Sequence, residues 1–311
     1  MFHHFRGGRH PNVQGSISQQ DFERIIRFLD PRRILTPFKW LEKVDEGSPN
    51  ASDLCLTFDD GLLSQYEIAR PVLEKYRLTA FWFVYSCVFE GHIAKFEVYR
   101  AFRCRFLPDV DAFYETFFRS VSDEFGVKTH EAVPEKEIER FRKSYPFYSV
   151  NDVRFRLLRD RVLTNAEYEH VMDELIQERG VSLTDLAAGL WMSNDHLRHL
   201  SGEGHVVGLH SYSHPMVLGD LPYERQREEY ERNSMHLKRV CGTAPVVVAH
   251  PANSYSDQTI EILKGLGVRC GFRANMAPRR EGDALNPSPL ELAREDHANI
   301  MPALNERGGT G

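Results

Sequence analysis

The sequence predicts an α/β fold, a parallel sheet or barrel broken by a long helical insertion. Three observations point to it. Short apolar, β-branched or aromatic runs alternate with segments of helical period in both flanks of the chain. A strand, a helix and a second strand follow one another over about thirty residues, the length of a βαβ unit. Between the flanks, roughly a hundred residues carry helical period without a strand signal, which is too long for a plain loop.

The elements can be read in order. SISQQD at 16–21 supplies N-cap chemistry; Phe22, Ile25, Ile26 and Leu29 then recur at helical spacing, and Pro31 ends the run. After the turn-rich GSPN at 47–50, residues 54–58 (LCLTF) read as a strand running directly into Asp59-Asp60-Gly61. Tyr66, Ile68, Ala69, Val72, Leu73 and Tyr76 form the apolar stripe of a helix. Residues 79–85 (TAFWFVY) show little polar alternation, as a strand buried on both faces does. Residues 88–190 are the helical insertion, with helices predicted at 114–125, 135–143 and 166–178. The sheet rhythm then resumes: a helix at 194–200, a strand at 205–209, a helix at 222–240, a strand at 245–249, a helix at 257–266 and a strand at 268–273. The expected organisation is a single domain over 1–311 carrying the insertion within it.

Composition narrows the function classes. Of 311 residues, 41% are hydrophobic and 27% charged, which excludes disorder, collagen and coiled coil as the main state. A net charge of −6 provides no basic field, so nucleic acid is not an expected partner. No apolar run reaches the ~18–20 residues of a transmembrane segment. The first ten residues, MFHHFRGGRH, lack the apolar core of a secretory signal, so a cytoplasmic location is expected. His3 and His4 read as part of a mobile terminus, with a place at the rim of a pocket as the alternative. The five cysteines are scattered and never in a C-x-x-C pair; reduced, buried thiols are expected, with no thiolate metal site. The oligomeric state stays open.

Three polar segments follow directly on apolar strands: Asp59-Asp60-Gly61, HSYSHP at 210–215 and HPANSY at 250–255. In a parallel barrel the C-terminal strand ends open on one face, so segments distant in sequence can converge there. Two histidines four apart are weak evidence alone; the chain's fourteen histidines give about 0.6 such pairs by chance. The combination is stronger. Two imidazoles and one carboxylate form the ligand set of a catalytic zinc or similar divalent site, and a second, adjacent carboxylate is left to act as a base.

TFDDG at 57–61 and HSYSH at 210–214 resemble the first and second motifs of the NodB-homology polysaccharide deacetylases, carbohydrate esterase family 4. The resemblance covers about residues 52–86 and 192–275. It implies an irregular (β/α)7-type barrel. It also implies metal-dependent removal of the N-acetyl group from an amino sugar, in a polysaccharide or its cytosolic precursor. Asp59 would then be the base, and Asp60, His210 and His214 would bind a divalent metal, with zinc expected. Ser211 would brace the loop by hydrogen bonding.

The third motif departs from the family pattern. Aligned on Pro251 and Tyr255, it reads AHPAN at 249–253 and lacks the Arg that orients the base. Asn253 replaces the usual Gly, which is tolerable because Asn accepts positive φ. The Ala252 amide can still serve as an oxyanion donor on the substrate side. LAREDH at 292–297 resembles a late L-P-R-x-D-like segment of some members. On that basis Arg294 is the expected partner of Asp59 and His297 the candidate general acid, with His250 as the rival acid beside the substrate. Alternative activities are N-deformylation, O-ester hydrolysis, or carbohydrate binding by a pseudoenzyme of the same fold. His205 reads as structural, and Phe81, Trp82 and Phe83 as core. In the insertion, Tyr99, Arg100, Arg103, Arg156, Arg159 and Arg161 read as helix-surface ion-pairing groups or as sugar or phosphate contacts.

Overall fold

Five short parallel strands lie side by side in chain order: β1 (Thr57–Phe58), β2 (Phe81–Val84), β3 (Val206–Leu209), β4 (Val247–Ala249) and β5 (Cys270–Phe272). The register runs Phe58 to Trp82, Trp82 to Val207, Leu209 to Val248 and Val248 to Gly271. The coordinates are a computed structural model describing residues 1–308 other than 48, 51, 108, 145–147 and 280–281. Each edge of the sheet is extended by one parallel bridge, Phe2 to Phe58 and Leu292 to Phe272. The Met1 nitrogen donates to the Glu295 carbonyl at 2.8 Å, and the His297 amide donates to the Met1 carbonyl at 3.3 Å. These bonds bring the two edge segments together. The sheet is therefore the curled core of an irregular (β/α) barrel. Its strands are shorter than the apolar runs that predict them, because the outer residues of each run leave the ladder.

Alternation along β2 feeds two cores. Trp82 and Val84 pack outward with Phe58, Val207, Leu209 and Val248 against the surrounding helices. Phe81 and Phe83 point the other way and meet Val247, Ala249, Cys270 and Phe272, together with Leu41 and Val44. Phe58 stacks on Trp82 with ring centroids 4.3 Å apart. Each such side chain, fully buried, contributes about 1.5–3 kcal/mol relative to exposure.

Among the described residues, three α-helices precede the insertion. In α1 (Gln19–Leu29), Ser18 and Asp21 form a capping box and Phe22, Ile25 and Ile26 face the core. Thr36 caps α2 (Pro37–Asp45), which supplies Leu41 and Val44. The expected single helix at 66–76 is instead a π turn (Gln65–Ala69) followed by α3 (Arg70–Tyr76). Pro71 stands at the junction; it has no N–H for an i→i−4 bond, so the ladder widens there.

The chain forms two compact units, Met1–Ala94 with the chain from Gly189 onward, and Lys95–Ala188. The second is helical: α4 (Lys95–Phe106), α5 (Val110–Phe125), α6 (Thr129–Ala132), α7 (Glu135–Ser144), α8 (Val150–Leu157), α9 (Asn165–Glu178) and α10 (Leu183–Ala187). It has its own aromatic core, with Phe117 edge-on to Phe155 at 4.9 Å. Its arginines lie on aromatic faces: Arg100 and Arg159 over Phe96, Arg103 over Phe113 and Arg156 over Tyr148. Arg100 pairs with Glu97, Arg159 with Asp160 and Arg161 with Glu137, while Tyr99 donates to Asp173.

The first unit is completed by α11 (Asn194–Gly202), α12 (Tyr223–Cys241), α13 (Asp257–Gly265) and α14 (His297–Gly308). The N-terminal segment is ordered, contrary to the expected mobile terminus, because Phe2 and Phe5 are buried against Phe22 and Phe58. No helix among the described residues is long and apolar enough to cross a membrane.

Candidate active site

The chain leaves β1 at Phe58 and turns sharply. Asp60 has φ 78° and Gly61 φ 64°, both in the left-handed region. Glycine is needed at 61, because a Cβ there would meet Val84 Cγ1 at 2.9 Å. The turn buries both carboxylates, with Asp59 only 2% exposed. Arg294 grips Asp59 with two prongs, Nη1 to Oδ1 at 2.7 Å and Nη2 to Oδ2 at 2.6 Å. The same guanidinium donates to Thr57 Oγ1 at 3.2 Å and to the Arg273 carbonyl at 2.6 Å, which fixes the fork. Burial alone would raise the Asp59 pKa; the Arg294 charge and then His210 overcome it and hold the carboxyl below its usual range. The late segment thus brings a guanidinium to Asp59 although the third motif has none.

The second segment leaves β3 at Leu209. His210 Nδ1 lies 2.8 Å from the Ala249 carbonyl at the end of β4. A carbonyl oxygen only accepts, so Nδ1 donates to it and Nε2 is the ring atom left to face Asp60. That Nε2 is 3.4 Å from Asp60 Oδ1, and His214 Nε2 is 3.6 Å from the same oxygen. The three potential ligand atoms lie within 4.8 Å of one another. The two Asp60–His separations exceed a good N–H···O bond and suit donors that share one cation at ~2.0–2.2 Å each. The donor set therefore fits a divalent metal. Burial opposes the Asp60 charge, yet the two imidazoles hold its pKa well below the usual value. Ser211 is fully buried, and its Oγ accepts the His214 amide at 3.0 Å.

The remaining predicted residues are placed differently. His250 is buried, donates from Nε2 to the Leu290 carbonyl at 2.8 Å, and stacks on Tyr255 at 4.2 Å. Burial lowers its pKa to about 4, so the ring is neutral at pH 7. Ala252 and Asn253 are both left-handed, φ 48° and 58°; Ala252 is exposed, and Asn253 Oδ1 accepts the Ala274 amide at 2.9 Å. His297 turns toward the N-terminal loop, with Nε2 2.9 Å from the Gly15 carbonyl, Nδ1 3.2 Å from Asp296 and its ring on Phe2. Asp59, Asp60, His210, His214 and Arg294 are thus brought together, while His250 and His297 spend their Nε2 atoms on backbone carbonyls.

Two further residues stand beside this group, His3, expected in a mobile terminus, and Gln65, which carried no sequence signal. His3 Nε2 is 3.7 Å from Asp59 Oδ2, and its side chain is 29% exposed. Gln65, fully buried, donates its amide to both the His3 and the Asp59 carbonyls, at 2.7 and 2.5 Å, and clips the N-terminal segment to the first motif. The available signal was Phe2 and Phe5 bracketing the histidine pair, an apolar spacing unusual for a solvated tail.

The curled parallel barrel carries an Asp-Asp turn after its first strand and a two-histidine loop after its third, the placement that the resemblance to the polysaccharide deacetylases implies. The sequence model of that family, described as polysaccharide deacetylase, matches residues 164–271, which include His210 and His214. The chain is also similar to the uncharacterized protein YlxY of Bacillus subtilis (strain 168), 28% identical over 98 residues, covering 31% of this chain and 30% of that protein. Among solved structures it resembles the Streptococcus pyogenes deacetylase PplD, with TM-score 0.54, 14% identity, and 98% and 96% of the two chains covered. It resembles IcaB from Ammonifex degensii with TM-score 0.55, 17% identity, and 98% and 93% covered. At these identities the structural likeness is one of fold. The family-model match over 164–271 and the likeness of fold agree with the resemblance carried by the motifs.

Proposed function

We propose that the protein is a metal-dependent deacetylase that hydrolyses the N-acetyl group of an amino sugar. The observation supporting this most directly is the meeting of Asp60, His210 and His214 around one point, next to an ionised Asp59 held by Arg294. A bound divalent cation, zinc being well suited to two imidazoles and a carboxylate, would polarise the amide carbonyl and lower the pKa of a water. Asp60, His210 and His214 hold that cation. Asp59 accepts the proton of the attacking water, and Arg294 keeps it charged and aimed. The Ala252 amide donates to the oxyanion that develops on the carbonyl oxygen.

For the acid that protonates the leaving amine we favour His3 over His297 and His250. Only His3 among these three combines partial exposure with proximity to Asp59. The Streptococcus pyogenes relative was solved in complex with acetate, the product this reaction releases. The sugar is expected to be an N-acetylated unit of a polysaccharide or of its nucleotide- or lipid-linked precursor.

The test is acetate release from N-acetylglucosamine oligomers and from nucleotide-linked N-acetyl sugars, with zinc and with chelator. Zinc-dependent release, lost about 10²- to 10⁴-fold in Asp59→Asn, is expected. Metal-loaded protein that frees no acetate from any of them would overturn the reading in favour of deformylation, ester hydrolysis or sugar binding alone.

A further inference from the structure

One helix carries a polar stripe that the reaction described above does not use. In α12, Glu229, Asn233 and His236 are buried at i, i+4 and i+7, although the helix also has apolar Tyr230, Leu237 and Val240 for its core face. Burying such groups is unfavourable unless each bonds something. Two of them bond the loop that bears both histidines. Glu229 Oε2 accepts the Tyr212 and Ser213 amides at 2.9 and 2.7 Å, and its Oε1 accepts Ser213 Oγ at 2.6 Å. Asn233 Oδ1 accepts the His210 amide at 3.0 Å, while its Nδ2 donates to the Val84 carbonyl at 3.1 Å, tying the ends of β2 and β3 together. His236 faces Glu90, which accepts the Tyr212 hydroxyl at 3.1 Å.

The loop needs such a brace. Ser211 and His214 have φ 64° and 57°, a conformation that L side chains seldom adopt, and neither is glycine. Two left-handed residues within one five-residue turn persist only where the surroundings over-determine them. Glu229 takes up the two amides that lie between them. His210 has a second anchor in the Ala249 carbonyl. His214 is joined through its amide to Ser211, itself part of the turn.

We infer that Glu229 and Asn233 are positioning residues for the cation site. Their side chains hold the His210–His214 turn in the backbone conformation that aims both imidazoles at Asp60. This rests on the metal reading of the site. It adds that the affinity and geometry of that site are set from α12, by groups that never touch the ion. Outer partners of metal ligands commonly act in this way.

The test is a titration of the chelator-stripped full chain with Co(II), read by visible absorption and by competition with zinc. Glu229→Gln keeps the shape but removes the charge and one acceptor oxygen; Glu229→Ala removes all three bonds. Cobalt affinity is expected to fall about 10-fold in the first and about 100-fold in the second. The absorption of the saturated variants should shift as well, a change that a purely fold-supporting Glu229 would not produce. Unchanged affinity and spectrum in Glu229→Gln, together with unchanged binding by whatever Glu229→Ala folds, would overturn the proposal. Should the Ala variant not fold, the Gln variant decides alone. A separate arm uses His214→Ala. If the wild-type chain takes up no cobalt, or His214→Ala takes it up equally well, the metal reading itself falls and takes this one with it.

Discussion

At the scale of single residues, the Asp59–Arg294 pair decides the protonation of the proposed base. The pair is buried, so replacing Arg294 leaves a carboxylate without its counter-charge, an effect worth about 3–5 kcal/mol in comparable buried pairs. The sign on pH follows. In the native protein the Asp59 pKa is depressed, so the base is ionised throughout the neutral range and protonates only when pH falls below the ordinary carboxylate range. In Arg294→Met the largest lowering influence is gone while burial remains, which raises the pKa. The acidic limb of kcat/KM is therefore expected to move to higher pH in that variant. Stability should respond in the same sense. The wild-type contribution is present above the unfolded Asp pKa and is lost as pH falls through the folded value; the variant lacks it. A pH–rate profile and urea midpoints at several pH values check both; a limb at the wild-type position would show that Asp59 is not the titrating base. Arg294 came from the resemblance of LAREDH at 292–297 to a late family segment, because a mixed-charge run by itself reads as a solvated face. His3 read as terminal, because a histidine pair near the start of a chain carries no period, and only burial of its neighbours on the sheet edge places it.

At the scale of elements, the strands were legible and their limits were not. Runs such as FWFV at 81–84 are apolar on both faces and can only be buried strands, whereas ladder ends depend on how tightly the sheet curls. The edge segments at Phe2 and Leu292 contribute one bridge each, too little for any periodicity to register. The second of them depends on Gly271 in β5. A Cβ there would run into the Leu290 carbonyl, a backbone group that no side-chain rotation can move aside. Gly271→Ala is therefore expected to push the 290–294 segment off β5 at a cost of about 1–3 kcal/mol or more. That segment also carries Arg294, so acetate release should fall together with the urea midpoint. By contrast, a Cβ at Gly242, the C-cap of α12, meets nothing within 4 Å, and any cost of Gly242→Ala comes from its φ of 80° alone. Equal midpoints for Gly271→Ala and wild type would refute the close-approach argument.

At the scale of the whole molecule, the residues assembled at the candidate site come from positions 3, 59–60, 210–214 and 294, and all of them lie in the first unit. The intervening helical unit has its own aromatic core, with Phe113, Tyr114, Phe117, Phe155 and Tyr168 buried among themselves. Its existence was legible because helical period without strand signal is easy to see over a long stretch. Its purpose was not, since arginines and aromatics at helical spacing look the same whether they face a ligand or one another, and here they stack on one another. The chain enters this unit through α4 and leaves it through α10, and these two helices pack together. A flexible linker in place of residues 95–188 leaves every residue assembled at the candidate site in the chain. The shortened protein is expected to fold and to bind Co(II) with the affinity and absorption of the full chain, because every proposed ligand and every brace of the two-histidine loop is retained. Its preference among N-acetylated oligomers and linked monosaccharides is expected to change, if the helical unit takes part in choosing the substrate. A shortened chain that folds by circular dichroism yet binds no cobalt would show that the cation site needs the helical unit, and the assignment of all its determinants to the barrel would have to be withdrawn.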